Sequence, residues 1–528
     1  MTPARSLSPD PSGSTGRPVP ALVRSHVFRL LLCALLLGGV LTSLSRLSAQ
    51  PSPAPLDGFD EGVRAAMTAW RVPGLAVAVV KDGDIVFAKG YGVRTLGSEA
   101  RVDTATRFAI GSTTKAMTAV ALGMLVDGGL VGWDEPVIHH LPWFALSDAH
   151  ATREITIRDL LTHRTGVGNT DYLWYGREAT TLSIIERLRY VELETSVRSH
   201  FSYQNVMYAA AGKVVAAVSG QPWSTVVQTR IFDPLGMDDT IPTAASLGEL
   251  SNVASPHAEI DGSIEVIENA SVDAIPAAGA VWSSVADMAA WMIFLLDGGV
   301  TDGRRLISDE THRELFTPQT IVGPDGFYPT ARLTEPNRTT YSLGFFQQDY
   351  AGHQVDFHTG SIDGMAALLG LIRSERLGVY VLANLDHAEL RHALMYDVFD
   401  RYLGRPARDW STDLQALYAD LARDAEARRT ADEAARVAGT TPSHDLADYA
   451  GTYGDPAYGA VTITLGDGAL RADFGPGFSG RLAHWHYDTF RAEWDAAWRG
   501  TALLTFRLDS LGRVAQLTAN GRTFDRQD

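Results

Sequence analysis

Hydrophobic and polar residues alternate along this chain in three different ways, and the changes of period divide it. Phe59 to Trp70 has helical spacing. Two strand-like runs follow, Gly74-Leu-Ala-Val-Ala-Val-Val80 and Ile85-Val-Phe-Ala-Lys89, joined by Lys81-Asp-Gly-Asp84; Asp-Gly between β-branched runs predicts a hairpin and the start of an antiparallel sheet. A helix is predicted from about Ser112 to Asp127, stopped at Gly128-Gly129. From about 130 to 275 the patterns are helical (157–161, 182–191, 206–218, 224–231) with few strands, which reads as an all-helical insertion against the sheet; another apolar helix spans 283–296. Strand patterns return at 341–347, 353–358, 365–372 and 378–382, ahead of a helix over 390–402. Sheet residues from both ends of this region flank a helical middle, so the chain must return to its start to complete the sheet.

Beyond this the character changes twice. Residues 410–437 are helical, charged and Ala-rich, and Gly439-Thr-Thr-Pro-Ser443 breaks the pattern, giving a helical linker over 406–445. From 446 to 528 short strands (461–465, 470–474, 484–494, 502–508, 514–518) are separated by Gly-Asp-Gly, Gly-Pro-Gly and Asn-Gly turns, the pattern of a small antiparallel β-barrel. The fold class is therefore α/β of the α+β kind: an antiparallel sheet flanked by helices with a helical subdomain, over 59–405, followed by the barrel.

The amino terminus reads as an export signal. Arg24, His26 and Arg29 precede the apolar run Leu30–Leu41, too short to span a bilayer comfortably, and Ser45-Arg-Leu-Ser-Ala-Gln50 follows. The reading is a signal peptide over 1–49, a linker over 50–58, and a secreted or periplasmic protein with no stable membrane insertion once the signal is cleaved; an uncleaved anchor is the alternative. Cys33, the one cysteine of the 528 residues, lies inside the signal, so the mature chain has no disulfide and no cysteine metal site. The whole chain carries a net charge of −17, and losing five arginines and one aspartate with the signal makes it −21. Such acidity argues against nucleic acid or anionic membranes as partners and leaves a small-molecule or peptide substrate.

The chemistry points to Arg107-Phe-Ala-Ile-Gly-Ser-Thr-Thr-Lys115. Ser112 and Lys115 stand three apart and share a helix face. A serine hydroxyl is a weak nucleophile until a base takes its proton, and a desolvated lysine can be that base. This chain has only four lysines (Lys81, Lys89, Lys115, Lys213) against 41 arginines. Arginine does not give up its proton, so a lysine in such a chain suggests a need for one that does. A second group is Phe201-Ser-Tyr-Gln-Asn205, where Tyr203 offers a phenolic acid or base, if nearby positive charge lowers its pKa, and Asn205 an amide donor and acceptor. A third is Phe357-His-Thr-Gly-Ser361, where Gly360 lets a ligand approach the backbone and the Ser361 N–H joins that of Ser112 as an oxyanion hole.

Taken together, Ser-x-x-Lys, Tyr-x-Asn and His-Thr-Gly in this order resemble the motifs of the penicillin-binding protein and class C β-lactamase superfamily of serine hydrolases. Thr156-Ile-Arg-Asp-Leu-Leu-Thr-His-Arg-Thr-Gly166 and Tyr203-Gln-Asn-Val-Met-Tyr-Ala-Ala-Ala-Gly212 add to the resemblance, which covers about 59–403. The trailing barrel looks like a lipocalin-like accessory domain. The resemblance implies Ser112 as nucleophile, Lys115 and Tyr203 as proton-transfer pair, Asn205, His358, Thr359 and Gly360 as substrate-binding groups, and no cofactor. It implies hydrolase chemistry of the DD-carboxypeptidase, D-aminopeptidase or esterase kind. A true class C-type β-lactamase and a non-catalytic envelope receptor for peptide or muropeptide ligands are the alternatives. The lactamases usually carry lysine where His358 stands; histidine with an ordinary pKa near 6.5 is mostly neutral at pH 7.5 and gains charge toward pH 6. No Gly-x-Ser-x-Gly, His-Glu-x-x-His or phosphate-loop pattern is present. His484-Trp-His486 would put two imidazoles on one strand face without an evident third ligand, and His163 reads as a packing or turn residue.

Overall fold

The computed structural model describes residues 54–527; the expected signal peptide over 1–49 and residues 50–53 of the linker after it lie outside the described residues. The organising element is an eight-stranded antiparallel sheet in the order Asp84–Gly92, Gly74–Lys81, Leu377–Ala383, Met365–Ile372, His353–Ile362, Phe346–Tyr350, Thr339–Tyr341, Thr320–Ile321. The first hairpin pairs with the last long strand, Leu75 opposite Ala383 through Lys81 opposite Leu377. That pairing is the return of the chain that the sequence requires. Central strands are buried on both faces, which is why Gly74–Val80 and Met365–Ile372 read as unbroken apolar runs. Gly378, Tyr380 and Leu382 face the helix Val285–Leu296, while Gly370 faces Met395 of the helix Leu390–Tyr402 on the other side.

The helix Thr114–Asp127 lies inside this packing and is apolar almost all round, as a fully enclosed helix must be. A 3-10 turn, Gly111–Thr113, precedes it. Thr113 Oγ1 is 2.7 Å from the Tyr380 hydroxyl, so the turn is fastened to the middle of the sheet. The helix Asn205–Ser219 packs beside it and ends on left-handed Gly220. Between these two helices sits the short turn Pro276–Gly279: Thr118 donates to the Ala277 carbonyl, and Gly212 leaves room for the Ala277 methyl.

Several expectations need correction. The middle region is not all helical, because His257–Ile260 and Ser263–Val266 form a hairpin around Asp261-Gly262, both at positive φ. The Asp-Gly signal was present, but four-residue strands are too short for a visible alternation. Tyr341–Gln347 is not one strand: the backbone folds back at Ser342–Phe345, with Gly344 at φ +94°. This turn is buried against the helix Thr114–Asp127, so its residues are apolar and hide the break. Likewise 484–494 is a hairpin, Ser479–His486 and Thr489–Trp494, turned at Tyr487-Asp488. There Asp488 is held by Ser443 and Tyr449, contacts remote in sequence. The helix expected from 283 begins at Val285, capped by Ser284, because Ser283 is spent pairing with Phe108.

The helix Trp410–Ala434 is only in part a linker. Trp410, 2 % exposed, stacks on Tyr396 and donates to Asp400, so the first turns belong to the sheet domain. The eight strands from Gly451–Asp455 to Arg522–Arg526 form a closed barrel, Tyr453 pairing with Arg526 to shut it. Its interior is filled by alternate residues such as Val461, Ile463, Phe490, Leu504, Phe506 and Leu517. Among the described residues no helix is long and apolar enough to cross a membrane.

Gly344 tests how tightly the sheet and the helix Thr114–Asp127 are packed. A Cβ there would lie 2.9 Å from the Ala116 backbone on a left-handed φ. Gly344→Ala should lower the free energy of unfolding by about 1–3 kcal/mol, read from urea denaturation curves. An unchanged midpoint would mean that this contact is slack.

Candidate active site

Three segments converge on Ser112. The 3-10 turn presents its hydroxyl, the start of the helix Asn205–Ser219 brings Tyr203 and Asn205, and the strand His353–Ile362 brings His358, Thr359 and Ser361. Two glycines permit the approach. Gly111 is at φ +51°, and a Cβ there would be 2.7 Å from the Ser361 nitrogen; a Cβ on Gly360 would be 1.9 Å from the Ile110 carbonyl oxygen. Glycine at 360 is thus required by the neighbouring turn itself, whatever a ligand may need, and the Ser112 and Ser361 backbones are drawn together by it.

Lys115 has no solvent exposure. Its Nζ lies 2.9 Å from Ser112 Oγ, 2.7 Å from Asn205 Oδ1 and 3.0 Å from the Ala278 carbonyl oxygen. Burial pulls its pKa from 10.5 down to about 7, with Asp171 opposing the fall. An ammonium would donate to all three oxygens. The neutral amine has two N–H bonds, which the Asn205 and Ala278 oxygens can take, and its lone pair then faces Ser112 Oγ to accept that hydroxyl's proton.

Tyr203 Oη donates to the same Ser112 Oγ at 2.9 Å. Its phenol is pushed well above the ordinary value, burial being the largest cause, so the expectation of a lowered pKa is corrected even though the Lys115 amine lies 4.9 Å from its ring. Tyr203 is therefore protonated at rest, and of the two groups beside Ser112 Oγ it is Lys115 whose neutral form is reached near pH 7. His358 is also corrected. It is 1 % exposed, its Nδ1 donates to the Thr359 carbonyl at 2.6 Å, and Nε2 accepts from Tyr341 Oη at 3.1 Å. Burial, reinforced by Lys115, drives its pKa to about 3, so it stays neutral at pH 6 as well as at 7.5.

Several positioning residues escaped the sequence reading. Asp171 accepts from Asn205 Nδ2 at 3.0 Å, so the Asn205 amide is oriented with its oxygen toward Lys115. Arg391 lies beneath the third motif, donating to the Gly360 carbonyl at 2.8 Å and Ser361 Oγ at 3.0 Å while Glu389 neutralises it. Tyr328 is 2.7 Å from Thr359 Oγ1, and with Phe327 forms one wall of a cavity of about 390 Å³ in front of Ser112. A second cavity of about 400 Å³ opens beyond Asn205 and Ser361, and barrel residues Phe478, Trp498 and Arg499 help to line it. None of these partners is near its target in sequence. His163 is a packing residue: its Nδ1 accepts from the Gln204 N–H and its ring lies 4.3 Å from that of Tyr203. In the barrel, His484 meets the Tyr487 carbonyl and His486 the Val437 N–H, with a bulge between them.

This geometry agrees with comparison to known proteins. The sequence model of the Beta-lactamase family matches residues 59–403. The chain belongs to that family. A second model, a domain of unknown function (DUF3471), matches residues 435–528. Among curated relatives, the unguisins hydrolase ungD of Aspergillus violaceofuscus (strain CBS 115571) is 31% identical over 456 residues, 79% of this chain and 78% of the relative. Protein flp of Staphylococcus aureus (strain N315) is 23% identical over 323 residues, 60% of each chain. An octameric penicillin-binding protein homologue from Pyrococcus abyssi has the same fold, with a TM-score of 0.60 and 20% identity over 89% of this chain and 99% of its own. The family match thus spans all three motifs that meet at Ser112, in a family with hydrolase-named members.

If Lys115 acts as the neutral base, kcat/KM should rise ~tenfold per pH unit below about 7 and level off above it. Asp171→Asn should move that limb to lower pH, because the lost carboxylate no longer favours the ammonium. A limb that stays in place in the variant would remove Asp171 from the control of Lys115.

Proposed function

We propose that the protein is an exported serine hydrolase that cleaves an ester or amide through an acyl-enzyme on Ser112. The observation that carries this reading is the Lys115 Nζ–Ser112 Oγ–Tyr203 Oη arrangement, with a base discharged near pH 7 on one side of the hydroxyl and a protonated phenol on the other. Ser112 Oγ attacks the carbonyl carbon as its proton passes to Lys115. The backbone N–H groups of Ser112 and Ser361 take the charge that develops on the carbonyl oxygen. The leaving oxygen or nitrogen receives a proton from Tyr203, which regains one from the Lys115 ammonium. Water then attacks the acyl carbon as its proton passes to Lys115, the bond from that carbon to Ser112 Oγ breaks, and the proton returns from Lys115 to Oγ, freeing the acid and the Ser112 hydroxyl.

For substrate class, the third motif offers no fixed cation. His358 is neutral and both its ring nitrogens are engaged, while Thr359 and the second N–H of Asn205 remain to bind a substrate carbonyl or hydroxyl. This favours uncharged esters and peptides over anionic β-lactams, with β-lactams acylating Ser112 but turning over poorly. A charge-assisted hydrogen bond exceeds a neutral one by roughly 1 kcal/mol, about tenfold in binding. Export rests on the basic residues and apolar run of 1–49.

The test is covalent labelling by a fluorophosphonate, read by intact mass. Ser112→Ala should abolish the adduct and cut turnover by on the order of 10³-fold or more; Lys115→Arg should be nearly as damaging, since the charge is kept but no proton is released. An adduct on another residue would displace Ser112, and an unlabelled wild type that binds peptide would make the cleft a receptor. The ratio of cephalosporin to neutral-ester turnover should be the same at pH 6 and 7.5, because His358 does not titrate there. A ratio that climbs on acidification in the wild type but not in His358→Asn would mean that His358 gains charge after all.

A further inference from the structure

The mouth of the barrel does not open to solvent alone. The loop carrying Asp171, Tyr175 and Arg177 lies over it, and the two enclose a cavity of about 450 Å³, within the ~300–1,000 Å³ typical of small-molecule sites. The cavity adjoins the annex beside Asn205, with which it shares Asp171, Tyr175, Phe478 and Arg499, but Ser112 lines neither. Its apolar part is aromatic, with Phe474, Phe478 and Trp494 set edge to face at centroid distances of 5.6–5.8 Å. Such walls favour a flat ring.

Its polar part is cationic, in a chain of charge −17. Arg177, Arg499 and Arg522 line it against the single carboxylate of Asp171, which is taken up by Asn205 and Trp174. Arg499 gives one nitrogen to Asp363 at 2.9 Å; its Nε and Nη1 have no hydrogen-bond partner in the protein, although its side chain is only 9 % exposed. Arg522 lies over the Tyr458 ring at 4.7 Å, and among the described residues neither it nor Arg177 forms a salt bridge. Arg187 sits against Arg177 at Gly459, and burial with this like charge draws Arg177 below its ordinary pKa, Asp455 offsetting part of the effect. Tyr458, 4 % exposed, lines the same cavity, and its buried hydroxyl has no partner either. A buried hydroxyl and uncompensated guanidinium groups are costly unless something satisfies them.

We propose that this cavity is a second ligand site, taking an aromatic carboxylate whose ring lies among Phe474, Phe478 and Trp494 and whose anion meets Arg522, Arg177 and the Tyr458 hydroxyl. The site stands apart from the hydrolytic reaction, and binding needs no chemistry at Ser112. Its loop, however, reaches the reaction centre through Asp171 and Asn205.

The probe is 2-naphthoate, titrated by calorimetry and by tryptophan fluorescence against the full chain and against enzyme with Ser112 blocked by fluorophosphonate, or Ser112→Ala if no adduct forms. One naphthoate per chain should bind, equally in free and blocked or substituted enzyme. The neutral 2-naphthamide should bind at least tenfold more weakly. Arg522→Gln should weaken naphthoate about tenfold and Arg522→Lys less, while Tyr458→Phe should weaken it severalfold with the ring intact. Matching far-ultraviolet circular dichroism would exclude misfolding of the variants. No binding, equal affinity for acid and amide, indifference to all three variants, or loss of binding on blocking or substituting Ser112 would each overturn the proposal. Because the blocked or substituted enzyme is one arm, failure here leaves the Ser112 reading intact, and failure of that reading leaves this one testable.

Discussion

An amine with no access to water must surrender its proton or find compensating charge, and Lys115 has only a distant carboxylate. Desolvation therefore sets its state, and the surrounding structure serves to keep the site dry and the acceptors in place. The turn Pro276–Gly279 supplies one carbonyl, held between two helices by Thr118 and by the absence of a side chain on Gly212. Asn205 supplies the other acceptor and is itself aimed by Asp171. With both N–H bonds of the neutral amine directed elsewhere, Ser112 is the remaining neighbour for the lone pair. In the proposed reaction, the direction of proton transfer follows from where the two carbonyl oxygens sit.

The same dryness explains why proton affinities diverge among groups so close together. Lys115 falls, His358 falls further, and Tyr203 rises, all with desolvation as the largest cause. Each is pushed toward its neutral form, so the site holds a neutral imidazole, a phenol and an amine that sheds its charge near pH 7. Uncharged groups in contact with one another avoid the repulsion that two cations at 115 and 358 would suffer. A lysine in place of His358 would have to be stabilised by its ligand, whereas histidine leaves the site at rest without one.

What the sequence made legible was local. Ser112 and Lys115 are three apart, Tyr203 and Asn205 two apart, and His358 to Ser361 consecutive, so each group is visible as a short motif, and the resemblance of the three together to one family gave them weight. The scarcity of lysine added weight that a pattern match lacks. The long buried strands and the glycine-stopped helices were visible for the same reason, since their period exceeds a few residues. Hidden from it were Asp171, Arg391, Tyr328 and Tyr341, whose work depends on contacts across the fold; Arg391 supports Gly360 from 31 residues away and Ala367 from 24. Protonation states were equally hidden, because burial is a property of the packed chain. Tight turns made of apolar residues, as at Leu343-Gly344, were read as strand because their surroundings are core.

The barrel is joined to the reaction centre at two points of one loop. Tyr175 donates to Asp363, which also receives the barrel's Arg499, and Asp363 follows Ser361 by two residues on the strand end that carries the third motif. Four residues before Tyr175, Asp171 holds Asn205. The barrel mouth is therefore tied by direct contacts both to the strand end that carries Ser361 and to the loop that holds the Asn205 amide. A freely tethered module would need no buried ion pair with the hydrolase; Arg499 and Asp363 are both largely shielded from water, and breaking such a pair strands a charge. That cost, together with the stacking of Arg499 between Tyr175 and Phe478, makes the barrel a wall of the catalytic domain rather than an appendage.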